Sequence, residues 1–260
     1  MLEISPFKHP DWSPKVQSGS RILIAGASGG LGTALVDMLI DHSDCIVGAH
    51  GAPKPPAKTY HKNVIGFQQS LSSEADCIAL VDGFVEKAGG IDGIVLLNGA
   101  LNHSGNWREM PEDAWNADMA TNLGHPFFLA RHAMAIMRDA GDGGRIVFNG
   151  TESALHGGSS HSMPYAMTKL ATECMVKGMA RDGAPDGILV NGVRLGFIVS
   201  GFHQRWSGRD DTFLQERSEL VPLKRGGDPA EVAALICYLL SGWSSFITGQ
   251  MFALTGGDWL

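Results

Sequence analysis

Short apolar runs alternate along this chain with segments of helical periodicity, and that alternation limits the fold more than any other property of the sequence. The run Arg21-Ile-Leu-Ile-Ala25 ends at a glycine-rich turn, Gly26-Ala-Ser-Gly-Gly30-Leu-Gly32, after which Leu31, Ala34, Leu35, Met38 and Leu39 recur on one helical face. Residues 45–49, 64–67, 93–97, 145–148, 188–193 and 251–254 are further strand segments. Helical spacing is expected over residues 73–88, around Phe127, Phe128, Ala130 and Met134, over residues 165–180, and over residues 229–240, where Asp228-Pro229 supplies an N-cap and a first-turn proline. The proline-rich residues 51–58 read as a loop. Strands separated by helices need crossover connections, which run the strands parallel. The expected fold is a single-domain α/β, Rossmann-type, doubly wound sheet of about seven strands with helices on both faces and a site at the strands' carboxyl ends. Residues 1–20 form an N-terminal extension and residues 21–260 the domain. Residues 200–223, with Phe202, His203, Trp206 and Phe213, read as a substrate-loop insertion.

Composition narrows the partners. The chain has 260 residues, 44% hydrophobic and 18% charged, enough to bury one sizeable core. A formal net charge of −7 repels phosphate backbones and anionic lipid, so nucleic acid and membrane surfaces are excluded as expected partners in favour of small molecules. With no apolar run near the roughly 20 residues that span a bilayer, and no leader-like N-terminal segment, the expected location is cytoplasmic. Cys45, Cys77, Cys174 and Cys237 are widely spaced in apolar sequence and read as buried free thiols. The ten histidines fall into no metal-ligand spacing, so no metal site is expected.

The chemistry centres on Tyr165-Ala-Met-Thr-Lys169. A four-residue spacing on a helix puts both side chains on one face, where an ammonium favours the ionised phenol and lowers its pKa from about 10. The pair is a candidate proton donor and acceptor. The glycine turn between strand and helix offers unpaired N–H groups and a positive dipole end to a pyrophosphate, which the glycines let approach closely.

Several ordered motifs resemble the classical short-chain dehydrogenase/reductase family from Arg21 to Asp258. The pattern T-G-x-x-x-G-x-G resembles Ala25-Gly26-Ala-Ser-Gly-Gly30-Leu-Gly32, and N-N-A-G resembles Leu97-Asn98-Gly99-Ala100. The helix asparagine matches Asn122, and Y-x-x-x-K matches Tyr165 and Lys169. P-G-x-x-x-T is similar to Leu195-Gly196-Phe-Ile-Val-Ser200, and T-G-Q…G-G to Thr248-Gly-Gln250 with Gly256-Gly257. The resemblance implies an NAD(P)-dependent oxidoreductase that moves a hydride between a nicotinamide and a secondary alcohol or ketone. Tyr165 would be the general acid/base and Lys169 would lower its pKa and hold the nicotinamide ribose. Asn122 would hold a water linking Lys169 to solvent, and Thr151, with Ser153 in reserve, would steady the substrate oxygen. It further implies cofactor contacts from Gly26, Ser28, Gly30, Leu31, Gly32, Asn98, Gly99, Gly196, Ile198 and Ser200, with Asn98 beside the adenosine ribose. Leu195 replaces a proline, which loosens that turn. The family serine spacing lands on Glu152, which places the hydroxyl at Thr151.

The end of the second strand, Val47-Gly-Ala-His50-Gly51, carries no acid to bond ribose hydroxyls, which favours NADP(H) over NAD(H). His50, Lys54 and Lys58 are expected to supply positive charge, Ser28 a hydroxyl, and Gln69 a contact near adenine. His103, His156, His161 and Trp206 are expected to face the substrate. By the same analogy the assembly is a homotetramer or homodimer, paired through residues 127–137 and 251–260. Two other readings stand beside the dehydrogenase: a lyase, dehydratase or epimerase that retains its cofactor, and a non-catalytic dinucleotide-binding regulatory protein.

Overall fold

A computed structural model describes residues 15–56, 58–103, 105–205 and 210–258. Its centre is a seven-stranded parallel sheet, made of β1 (Arg21–Ala25), β2 (Ile46–Gly51), β3 (Val64–Gln68), β4 (Gly93–Leu96), β5 (Gly144–Thr151), β6 (Ile188–Leu195) and β7 (Met251–Leu254). The strand order is β3-β2-β1-β4-β5-β6-β7. The order reverses at β1, so a crevice opens between the carboxyl ends of β1 and β4.

Alternation along each strand divides the core. Ile22 and Ile24 of β1 face one side with Val47, Val95, Val147 and Val193, and there α1 (Gly30–His42) and α7 (Pro229–Leu240) bury Leu35, Leu39, Val232 and Ile236. Leu23 and Ala25 face the other with Ile94, Ile146 and Val190, covered by α2 (Glu74–Ala88), α4 (His125–Ala140) and α5 (Met163–Gly183). The expected helix ends are capped: Ser73 with Asp76 and Asp228 with Glu231 each form a capping box.

The structure adds α3 (Glu112–Met119), joined to α4 by a π-helical turn, Ala120–Gly124. It also adds α6 (Asp211–Leu220) inside the 200–223 stretch, with Asp210 as its N-cap. Val16, in the expected N-terminal extension, is buried in the core and donates its N–H to Ser43 Oγ at 3.0 Å; residues 1–14 lie outside the described residues. Leu195 does not loosen the turn after β6. It ends the strand in register with Thr151 and Leu254, and Gly196 N donates to Leu254 O at 2.9 Å. Three cysteines are buried, whereas Cys174 is exposed on α5, where the helix turns that position away from the sheet. Among the described residues no helix is long and apolar enough to cross a membrane.

Candidate active site

A cavity of about 670 Å³ opens at the carboxyl ends of the strands. The β1–α1 turn lines it with Gly26, Ser28, Gly30, Leu31 and Gly32, and the end of β4 with Asn98 and Gly99. Thr151, Ser153, Tyr165, Gly196, Ile198 and Ser200 close its other side. Positions spread along the sequence from Gly26 to Ser200 therefore meet in one space.

Helix α5 starts with Pro164 in its first turn and carries Tyr165 and Lys169 on its buried face. Lys169 is 1% exposed; its Nζ lies 5.6 Å from the Tyr165 ring centroid and donates to Asn149 O at 3.0 Å. The expected depression of the phenol pKa has the opposite sign here. Burial raises Tyr165 above its ordinary value, the Asp118 carboxylate adds to this, and the same burial pushes Lys169 down to about 8. Desolvation of both charged forms outweighs their mutual attraction.

Asn122 sits fully buried in the π turn. Its Oδ1 accepts from Ala100 N at 2.9 Å, and its Nδ2 donates to Ala100 O at 2.9 Å and Asp118 O at 3.0 Å. The side chain is thus taken up by backbone, clamping the β4 loop to α3. It remains close to the lysine: a β-carbon placed on Gly99 would lie 3.4 Å from Asn122 Oδ1 and 3.9 Å from Lys169 Nζ. Thr151 Oγ1 lies 3.2 Å from Ser153 Oγ and donates to Leu195 O at 3.3 Å, so the two candidate hydroxyls form one chain.

Three of the four turn glycines serve protein contacts first. A β-carbon on Gly26, at φ +91°, would lie 2.8 Å from Asn98 N; on Gly30, 2.4 Å from Ser200 O; on Gly32, 2.4 Å from Gly26 O. The turn is pressed against β4 and the loop after β6, a tighter reason for glycine than ligand approach alone.

The expected positive charge near the adenosine end is not assembled. His50 is 4% exposed and burial lowers its pKa, so its ring is neutral near pH 7. Lys58 pairs with Asp37 at 2.8 Å, and neither it nor Lys54 lines the cavity. Gln69 turns its amide to Asp76 O at 3.3 Å and lies outside the cavity lining; its contribution is the backbone carbonyl, 2.9 Å from His50 Nε2. His103 and His161 line a small recess beside Tyr165, whereas His156 is exposed and lines neither space. Trp206 lies outside the described residues.

Asn149 was missed in the sequence, although it precedes Thr151 by two residues and so shares its face of β5. It lines the cavity, holds the Lys169 ammonium through its carbonyl, and leaves Oδ1 buried without a partner among the described residues. Asn98 Oδ1 and His50 Nδ1 are likewise buried and unpartnered among the described residues. Polar atoms left so beside one cavity, which His50 and Asn149 both line, fit a polar ligand there. Phe202, from the insertion, packs on Tyr165 with ring centroids 6.0 Å apart.

Residues 46–258 match the family model described as enoyl-(acyl carrier protein) reductase. The chain is 26% identical to the 3-oxoacyl-[acyl-carrier-protein] reductase FabG of Vibrio cholerae over 245 residues, 93% of this chain and 98% of that protein. Two solved structures, each 25% identical, cover 92% of this chain and 98% of their own. They are ElxO with NADP bound, with a TM-score of 0.80, and a short-chain dehydrogenase/reductase from Serratia marcescens, with a TM-score of 0.79. With the family motifs in their expected order around one cavity, the chain belongs to the short-chain dehydrogenase/reductase family of oxidoreductases.

Proposed function

We propose that this protein interconverts a ketone and a secondary alcohol, with NADP(H) favoured and NAD(H) accepted. The observation that carries the reading is the convergence of Tyr165 and the Thr151–Ser153 hydroxyl chain on the cavity that the glycine turn borders, with Lys169 buried beside the Tyr165 ring. Bound there, a nicotinamide supplies or accepts the hydride. Tyr165 gives its phenolic proton to the developing alkoxide in reduction and takes it back in oxidation. A phenol held protonated by burial suits the reducing direction. Thr151 turns its one hydroxyl proton from Leu195 O to the same substrate oxygen as charge builds on it. Lys169, tied to Asn149 O, stands where it would meet ribose hydroxyls, and Asn98 Oδ1 and Asn149 Oδ1 are acceptors for hydroxyl or amide donors. NADP in ElxO favours NADP(H) here as well.

The reading extends to a cytoplasmic protein acting as a homodimer or homotetramer. Leu129, Ala130, Ala133, Met134 and Met137 are used inside the chain's own core, which leaves Phe127 on α4 with Met167 and Leu170 on α5 as the exposed apolar positions for pairing.

The test is a panel of ketones and secondary alcohols assayed with both cofactors by absorbance of the reduced ring, on wild type and Tyr165→Phe. Turnover abolished in Tyr165→Phe with cofactor affinity nearly unchanged supports the reading. A variant with wild-type rate overturns the role of Tyr165, and no oxidation or reduction across the panel overturns the oxidoreductase assignment.

A further inference from the structure

Asp118, in the last turn of α3, is an acid at a position that packing against α5 hides from water: it is 2% exposed. Burying a carboxylate is costly unless hydrogen bonds answer it. Burial raises its pKa, and Asn102 and His103 oppose the rise. Asn102 N donates to Asp118 Oδ1 at 2.9 Å, and Asn102 Nδ2 donates to the same oxygen at 2.8 Å. No other group among the described residues donates to this carboxylate. The acid adds no apolar area to the core, and what it holds is the loop after β4.

Two N–H groups of one residue on one oxygen fix the direction of the Asn102 amide. A carboxylate oxygen accepts and does not donate, so the NH₂ side faces Asp118 and Oδ1 is turned away from it. That Oδ1 has no partner among the described residues, and the residue is exposed. Successive residues of the loop border two different spaces: Ala100 and Asn102 line the large cavity, Leu101 and His103 the recess beside Tyr165. Asp118 borders that recess together with Tyr165, which puts Asn102 at the tyrosine's end of the large cavity. A substrate there meets an acceptor whose direction is already set.

We propose that Asn102, held by Asp118, determines specificity: its amide oxygen accepts a hydrogen bond from a hydroxyl next to the reacting carbonyl, so that the protein reduces hydroxyketones to diols. The inference rests on the ketone–alcohol reading of the cavity and adds the substrate class to it. The reduced nicotinamide gives its hydride to the carbonyl carbon and Tyr165 gives its proton to the carbonyl oxygen. The neighbouring hydroxyl keeps its own proton and shares it with Asn102 Oδ1. Asp118 touches neither substrate nor cofactor and is a positioning residue. An ether or alkyl group in place of the hydroxyl has no proton to give, so the site discriminates against it. Because Asn102 is exposed, the discrimination is that of one neutral hydrogen bond, about tenfold.

The experiment compares hydroxyacetone, methoxyacetone and butanone as substrates of the full chain with reduced cofactor. Methoxyacetone keeps the oxygen and its electron withdrawal but has no donor; butanone has a methyl group in place of the hydroxyl. The quantity read is the ratio of kcat/KM for hydroxyacetone to that for each analogue. It is expected to be about tenfold higher in wild type than in Asn102→Leu, with the difference carried by KM, because the bond forms on binding and persists in the transition state. Asp118→Asn keeps an oxygen that can accept both N–H groups and should keep the ratio. Asp118→Leu releases the amide and should lose it, although Asn102 is still present. Equal ratios in wild type and Asn102→Leu, or a ratio to methoxyacetone that rises in the variant, overturn the inference while the oxidoreductase reading stands. Reduction of other ketones but of none of these three does the same, and no reduction of any ketone overturns both. A ratio retained in Asp118→Leu also overturns the proposal, and the two Asp118 variants decide by themselves should Asn102→Leu fail to fold.

Discussion

The ammonium of Lys169 donates to the main-chain carbonyl of Asn149 at 3.0 Å, tying the middle of α5 to the end of β5. The bond satisfies one of three ammonium donors in a side chain with almost no access to water, so the charge is costly in this protein taken alone. The proposed role of the lysine and its cost come from the same burial.

Lys169→Met is expected to raise stability and lose function together. A lysine whose folded pKa is about 8 instead of 10.5 binds fewer protons folded than unfolded between those values. Its destabilisation is therefore complete below pH 8 and relieved as pH rises towards 10.5. The cost at neutral pH is on the order of 3 kcal/mol, of which the variant should recover roughly 1 to 3 kcal/mol. Urea unfolding at about pH 7 and about pH 9.5 tests this: the stability gap between variant and wild type should narrow at the higher pH, while cofactor affinity falls at both.

The two hydroxyls should separate by mutation. Thr151→Ala is expected to lower turnover roughly a hundredfold, the scale of one oxyanion donor, and Thr151→Ser to restore most of it. Ser153→Ala should cost less, because it removes the far member of the chain. A crippled Ser153→Ala beside a near-normal Thr151→Ala would reverse the assignment.

Arg194 on β6 joins Glu152 at 2.7 Å and Glu173 at 3.3 Å, linking the turn after Thr151 to α5. Arg194→Met leaves two poorly solvated carboxylates facing each other, and a loss of roughly 2 to 4 kcal/mol is expected. Arg194→Met with Glu152→Gln should recover part of it. Thermal unfolding of both variants provides the measurement, and additive losses would show that the residues do not act as a unit.

Sedimentation equilibrium at micromolar concentration should give two or four times the chain mass of 27.7 kDa. Placing an aspartate at Met167 or Leu170 should lower that mass. A monomer in the wild type would refute the assembly.

The strands and the larger helices were legible because each run announces its own burial, as in β1, and because caps such as Ser73 and Asp228 are local chemistry. Helices α3 and α6 were not, because their hydrophobic content is low and packing against α5 and Phe197 decides them. The site residues were legible as types at spacings, and most lie together. What spacing could not convey was solvent. The signs of the Tyr165 and His50 shifts follow from burial, and the occupation of Asn122 by the Ala100 backbone follows from a loop whose path no pattern encodes.

The contact of Gly30 with the Ser200 backbone leaves no room for a methyl group between the β1–α1 turn and the loop after β6. The two loops are far apart in sequence, yet a larger residue at position 30 would push both. Selection acting on substrate choice through the loop is thereby constrained at its root. Variation in sequence is expected to accumulate distal to Ser200, in residues 202–220, while the junction itself stays fixed.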